Sequence, residues 1–85
     1  MKKYMLVCVY EREIEHPEFF DTHKEAHEAM CRDFASVMGL TYEEVKDAYN
    51  TFLNGGEFYE CAGMNNESAW CENYGNNCDW KIFDV

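Results

Sequence analysis

Basic residues are scarce in this chain. Seven lysines and arginines stand against seventeen aspartates and glutamates, for a net charge of −10. Phosphates and anionic lipid surfaces are held by cations, so direct binding to nucleic acid or to a membrane surface is not expected. Long apolar runs are missing as well, and nothing approaches the ~20 residues of a membrane span. Residues 1–10 place two lysines before apolar residues. That apolar part is too short for a secretory leader, and charged residues follow it without a small-residue cleavage site. It reads as a strand, and the chain as a cytoplasmic protein of a bacterial cell. Cysteine pairs at metal or redox spacing are also absent. Cys8, Cys31, Cys61, Cys71 and Cys78 are odd in number and contain no Cys-x-x-Cys, which fits reduced, partly buried thiols. Gly55-Gly56 lacks a following Lys-Ser or Lys-Thr and precedes a strand, so no phosphate-cradling loop is formed. With no linker, repeat or low-complexity stretch, residues 1–85 make one domain.

What the chain does have is organised around residues 19–40. Thr22 and Glu25 are spaced as a capping box, the hydroxyl and the carboxylate each satisfying a free amide at a helix start. Asp21 adds negative charge where the helix dipole favours it, and Gly39 supplies the left-handed stop. Between them Ala26, Met30, Phe34 and Val37 share one helical face, with Glu25, Glu28, Arg32 and Ser36 opposite. A second box, Thr41 and Glu44, opens another helix whose stripe is Val45, Ala48, Tyr49 and Phe52, stopped by Asn54-Gly55-Gly56. The spacing predicts helices near 22–38 and 41–53, with Met30, Phe34, Val37, Val45 and Phe52 in the core.

Strands flank the helices. Residues 4–10 are apolar throughout, and Glu11-Arg12-Glu13 is a charged turn. Pro17, the only proline, confines residues 14–20 to an edge or loop, with a short strand around Phe19 and Phe20. Three more strands are expected at 57–62, 68–74 and 78–85, separated by turn-forming runs at 63–66 and 75–77. In the last, Trp80 and Ile82 face one way and Lys81 and Phe83 the other. The expectation is an α+β domain: an antiparallel sheet of four to five strands, with two adjacent helices packed on one face in the order β-(β)-α-α-β-β-β.

The chemistry-bearing residues are few. His23, His27 and Cys31 recur on successive helical turns beside the apolar stripe, and two histidines four apart can share one zinc ion. A zinc-stabilised module using His23, His27 and cysteine is therefore one reading. The simpler reading leaves both imidazoles half buried and hydrogen-bonded to nearby loops, with no metal and no cofactor. No cysteine is marked as activated, and an enclosed pocket in so short a chain competes with the core for apolar side chains. No catalytic residue is assigned, and an enzyme is not expected.

The acids are clustered. Glu11, Glu13, Glu15, Glu18, Asp21, Glu25 and Glu28 fall within eighteen residues against Arg12 and Lys24. Glu57, Glu60, Glu67, Glu72, Asp79 and Asp84 lie in the C-terminal strands, with Lys81 the sole base. Single-sign fields of this kind steer association with a basic partner, and aromatics among them make interface anchors. The candidate partner-binding residues are Glu11, Glu13, Glu15, Glu18, Glu60, Glu67, Glu72, Trp70 and Tyr74. A housekeeping domain whose charge serves only solubility is the plain alternative.

Phe20-Asp21-Thr22 leading into Glu25-Ala26, and the closing run from Asp79 through Trp80, Lys81, Ile82, Phe83 and Asp84 to Val85, resemble a pattern in small uncharacterised acidic proteins of phages and mobile elements from Gram-positive gut bacteria. In size and charge the chain is also similar to anti-CRISPR proteins, several of which imitate DNA with surface carboxylates. That resemblance implies no catalytic residues. It implies an inhibitor that binds a basic, nucleic-acid-handling bacterial protein such as a CRISPR effector, with carboxylates standing where phosphates normally sit.

Overall fold

The computed structural model describes residues 2–73 and 75–85. Eight elements follow one another: β1 (Tyr4–Tyr10), β2 (Glu13–Ile14), β3 (Glu18–Phe20), α1 (His23–Met38), α2 (Tyr42–Leu53), β4 (Ala62–Met64), β5 (Ser68–Asn73) and β6 (Asn76–Asp84). The strands form one antiparallel sheet in the order β2-β1-β6-β5-β4, with β3 also paired to β1. The expected α+β architecture with two helices is what the chain adopts.

β2 and β3 are one edge strand broken by a bulge. Leu6 opposes Glu18 and Val9 opposes Ile14, so three steps along β1 meet four along the edge. The extra residue falls in Glu15-His16-Pro17, where proline has no amide to give the ladder. Glu15 keeps the pairing by donating its N–H to the Cys8 carbonyl at 2.8 Å. The β1–β2 turn places Glu11 (φ 52°) and Arg12 (φ 69°) both in the left-handed region. That is the backbone of a two-residue hairpin turn made without the glycine it favours.

Both helices start at the expected caps. Thr41 and Glu44 form the full reciprocal box, Thr41 Oγ1 taking the Glu44 N–H and Glu44 Oε1 the Thr41 N–H, each at 3.1 Å. At α1 the box is half made. Thr22 Oγ1 accepts the Glu25 amide, but the Glu25 carboxylate takes the Thr22 hydroxyl at 3.0 Å instead of a backbone N–H. Gly39, at φ 73°, ends α1 as expected.

α1 lies across the sheet, whereas α2 leans mainly on α1. Leu6, Met30, Phe34, Val45, Cys71, Cys78, Trp80 and Ile82 are buried between the layers. Phe34 is at the centre, with ring centroids 5.7 Å from Phe58, 6.2 Å from Tyr59 and 5.8 Å from Trp80. Two core expectations need correction. Val45 is the sole buried residue of α2 among those described, so Phe52 stays 42% exposed at the rim, touching Phe58. Val37 is half-buried.

The expected strand at 57–62 is also corrected. Phe58 and Tyr59 are consecutive yet both pack on the core, which the alternation of a strand forbids. The segment plugs the space beside Phe34, and Tyr59 donates its hydroxyl to the Glu44 carbonyl at 3.4 Å. Strand geometry begins only at Ala62, so part of the expected 63–66 turn is β4 itself. The turn that remains is built by Asn65, whose Oδ1 accepts the N–H groups of Glu67 (2.8 Å) and Ser68 (2.7 Å). The final strand starts two residues earlier than expected, at Asn76.

Candidate interaction surface

The sheet has one covered and one open face. Even-numbered residues of β1 and β6 turn toward the helices: Leu6 and Ile82 pair across one rung, Cys8 and Trp80 across the next. Odd-numbered residues must then turn to the other side, where no element lies on the sheet among the described residues. Register arranges them in rows. Phe19, Met5 and Phe83 align across three strands. Val7, Lys81 and Ser68 form the next row, and Ile14, Val9, Asp79, Trp70 and Gly63 the third. Phe19, Ile14, Trp70 and Phe83 are all exposed. The Trp70 indole lies over Gly63, where any Cβ would collide with its ring nitrogen.

Carboxylates gather at one end of this face. Glu72 opposes Asn77 in the ladder. Glu11 closes the same row from the other side, donating its N–H to the Asn77 carbonyl at 3.0 Å and accepting the Asn77 N–H on its carboxylate at 2.8 Å. Asp79, Trp70 and Arg12 line a hollow of about 300 Å³ beside them. The open face thus runs from an apolar end at Phe19 and Phe83 to an acidic end at Glu11, Glu72 and Asp79.

The candidate residues are therefore divided. Glu11, Glu72 and Trp70 are brought together. Glu13 opposes Tyr10 and belongs to the helix side. Glu15 and Glu18 flank the edge bulge, lining a second hollow of about 310 Å³ with Asp33 and Leu6. Glu67 sits in the β4–β5 turn, its carbonyl accepting the Ile82 N–H at 2.7 Å, and Glu60 is exposed in the segment before β4. Tyr74 lies outside the described residues. None of these acids is neutralised by an ion pair among the described residues, where Lys2–Asp21 at 3.7 Å is the pair formed. Met5, Val7, Val9, Ile14, Phe19 and Phe83 were not among the candidates. The alternation around Trp80 pointed to Phe83, but β1 is apolar on both faces and does not say which is covered.

The histidines stack on each other within a run of four rings, His23 meeting Tyr4 edge to face and His27 tilted against Tyr49. Tyr4, His23, His27 and Tyr49 follow one another at centroid separations of 5.5, 6.3 and 5.0 Å. His27 Nε2 donates to the Asn65 carbonyl at 3.2 Å, leaving Nδ1 as the acceptor 3.6 Å from Cys31 Sγ. Burial is the main force lowering the pKa of His27. With both His27 nitrogens engaged and its ring stacked on that of His23, the two imidazoles do not converge on a point. No group of three His, Cys, Asp or Glu side chains is placed to hold a metal among the described residues.

The three buried thiols and the half-buried Cys8 are held in their neutral form. Burial, chiefly, pushes Cys8 and Cys31 up to about 11 and Cys71 up to about 12, and raises Cys78 as well. An activated nucleophile requires the opposite shift. No helix among the described residues is long and apolar enough to cross a membrane. The chain matches no family model, and no curated protein or solved structure is significantly similar to it.

Proposed function

We propose that this chain is a small interaction protein without catalytic activity that docks on a basic partner through the open face of its sheet. The observation that carries this reading is the apolar face ending in Glu11, Glu72 and Asp79, whose charges no internal ion pair neutralises among the described residues. Phe19, Phe83 and Trp70 supply the buried anchors of such an interface, and the carboxylates meet the partner's cations. A nucleic-acid-handling protein in a bacterial cytoplasm, a CRISPR effector among them, presents the complementary surface: cations spaced for phosphates, beside rings that stack on bases. In that role the chain is an inhibitor, and its acidic end a nucleic-acid mimic.

The test is surface-captured binding to a purified RNA-guided nuclease, with and without guide RNA. Binding that DNA displaces, and that weakens as salt rises, supports the reading. Paired reversal of Glu72 and Asp79 to Lys should slow association, while the same change at Glu13, Glu15 and Glu18 serves as the control on the far edge. Binding untouched by salt and by the Glu72/Asp79 reversal would sink the mimicry.

A further inference from the structure

A second surface lies on the opposite layer, away from the open sheet face. α1 and α2 diverge around a groove of about 620 Å³, about twice the volume of either hollow on the sheet. That lies within the range of small-molecule sites, which run from about 300 to 1,000 Å³. Its walls are unlike the rest of the molecule. Lys24 and Lys46 both line it, two of the seven bases in a chain of net charge −10, and Glu28 is the one acid beside them. Neither lysine is in an ion pair among the described residues. A third cation stands just outside, the Arg32 guanidinium lying 4.3 Å from the centre of the Tyr42 ring, itself a wall of the groove.

The remaining lining is mostly aromatic and apolar, with the Asn50 and Asn66 amides as its neutral polar groups. His23, His27 and Tyr49 form a connected run of rings along it, and Leu53 adds an aliphatic side chain. His27 is locked in orientation by the Asn65 carbonyl, so this wall is preformed. His23 Nε2 is buried without a hydrogen-bond partner, leaving a polar capacity that the protein does not use. Apolar rings beside free ammonium groups favour a ligand that is flat at one end and anionic at the other. A cation would be repelled by the lysines, and a purely apolar ligand would leave them unanswered.

We propose that the α1–α2 groove is a binding site for small aromatic carboxylates, the ring resting against Tyr49, His27 and Leu53 and the carboxylate facing Lys24 and Lys46. This does not depend on the docking role of the sheet face, since the two surfaces share no residue.

The experiment is a ¹⁵N-¹H correlation titration of the intact chain with indole-3-acetate, with indole-3-acetamide as the uncharged match. Saturable shifts at the amides of His27, Lys46, Tyr49 and Leu53, with Kd at or below ~1 mM, are expected. The amide, or Lys46→Glu, should bind about fivefold more weakly, the size of an exposed charge pair. Lys46 is exposed, so an otherwise unchanged spectrum certifies that the variant is folded. Absence of shifts up to several times ~1 mM, shifts confined to Trp70 and Phe83, or equal binding of acid and amide would overturn the proposal.

Discussion

Trp70 and Trp80 occupy adjacent strands one rung apart, yet 48% of Trp70 is exposed and only 2% of Trp80. Both belong to alternating runs rich in apolar side chains. What separates them is parity: Trp80 shares a face with Leu6, Cys8 and Ile82, over which α1 lies, and Trp70 shares one with Val9 and Asp79, over which nothing lies among the described residues. Alternation alone states that a strand has two faces. Which face folds the protein is decided by where the helix goes, and the other is left for something else.

Substitutions on the two sides of the sheet sharpen that contrast. Phe34→Ala, on the covered side, removes a ring that is 0% exposed and touches Phe58, Tyr59 and Trp80. A loss of about 3–5 kcal/mol is expected in denaturant titration, a large share of what holds so small a domain. If Phe34→Ala unfolds the chain outright, Phe34→Leu should show the smaller loss of the same sign.

The pH dependence follows next. Burial lowers the pKa of His27 from its ordinary 6.5, with repulsion from His23 adding to it against the Asn65 hydrogen bond and Glu28. A depressed folded-state pKa means the unfolded chain binds the proton first. The contribution of neutral His27 is therefore present above pH 6.5 and lost as pH falls through the folded value. The thermal midpoint should drop as pH falls below 6.5, and His27→Gln should flatten that slope. Asp33 has the opposite sign. Burial, then Glu18, raises its pKa above 3.8, against the opposing influence of the nearby Trp80 indole N–H, which is not within hydrogen-bond geometry. Its stability contribution is complete below pH 3.8 and lost as pH rises through the folded value. Asp33→Asn should therefore be more stable than the parent near neutrality, with the gap closing in acid.

The smallest expected effect on stability belongs to the open face. Phe83→Ser removes a ring that is 42% exposed and should cost about 1 kcal/mol in denaturant titration, through its cross-strand contact with Met5. A loss comparable to that of Phe34→Ala would place Phe83 in the core and collapse the distinction between the faces.

Much of the fold was legible because its signals are local. Thr22, Gly39, Thr41 and Asn54 bound the helices by hydrogen bonds within a few residues, and β1 reads from its apolar run. Residues 57–61 were misread because Phe58 and Tyr59 have high strand propensity, and only the space beside Phe34 tells them to turn inward together. The interaction surface was half legible. Trp70, Glu11 and Glu72 were named by their chemistry, but the Phe19–Met5–Phe83 row exists only through the register of three strands distant in sequence. Glu13 is turned to the helix side by the register of the two-residue hairpin and Glu18 by the edge bulge, which Glu15 adjoins.

The presence of two tryptophans, one on each face, gives the most direct measurement. Acrylamide quenching of the intact chain, compared with Trp70→Phe, separates the two emissions without disturbing the core. Trp70 should be strongly quenched and Trp80, the only indole left in Trp70→Phe, nearly untouched, at dilutions where the chain is alone. Equal, weak quenching of both would mean that the outer face is already covered, and would contradict an open surface waiting for a partner.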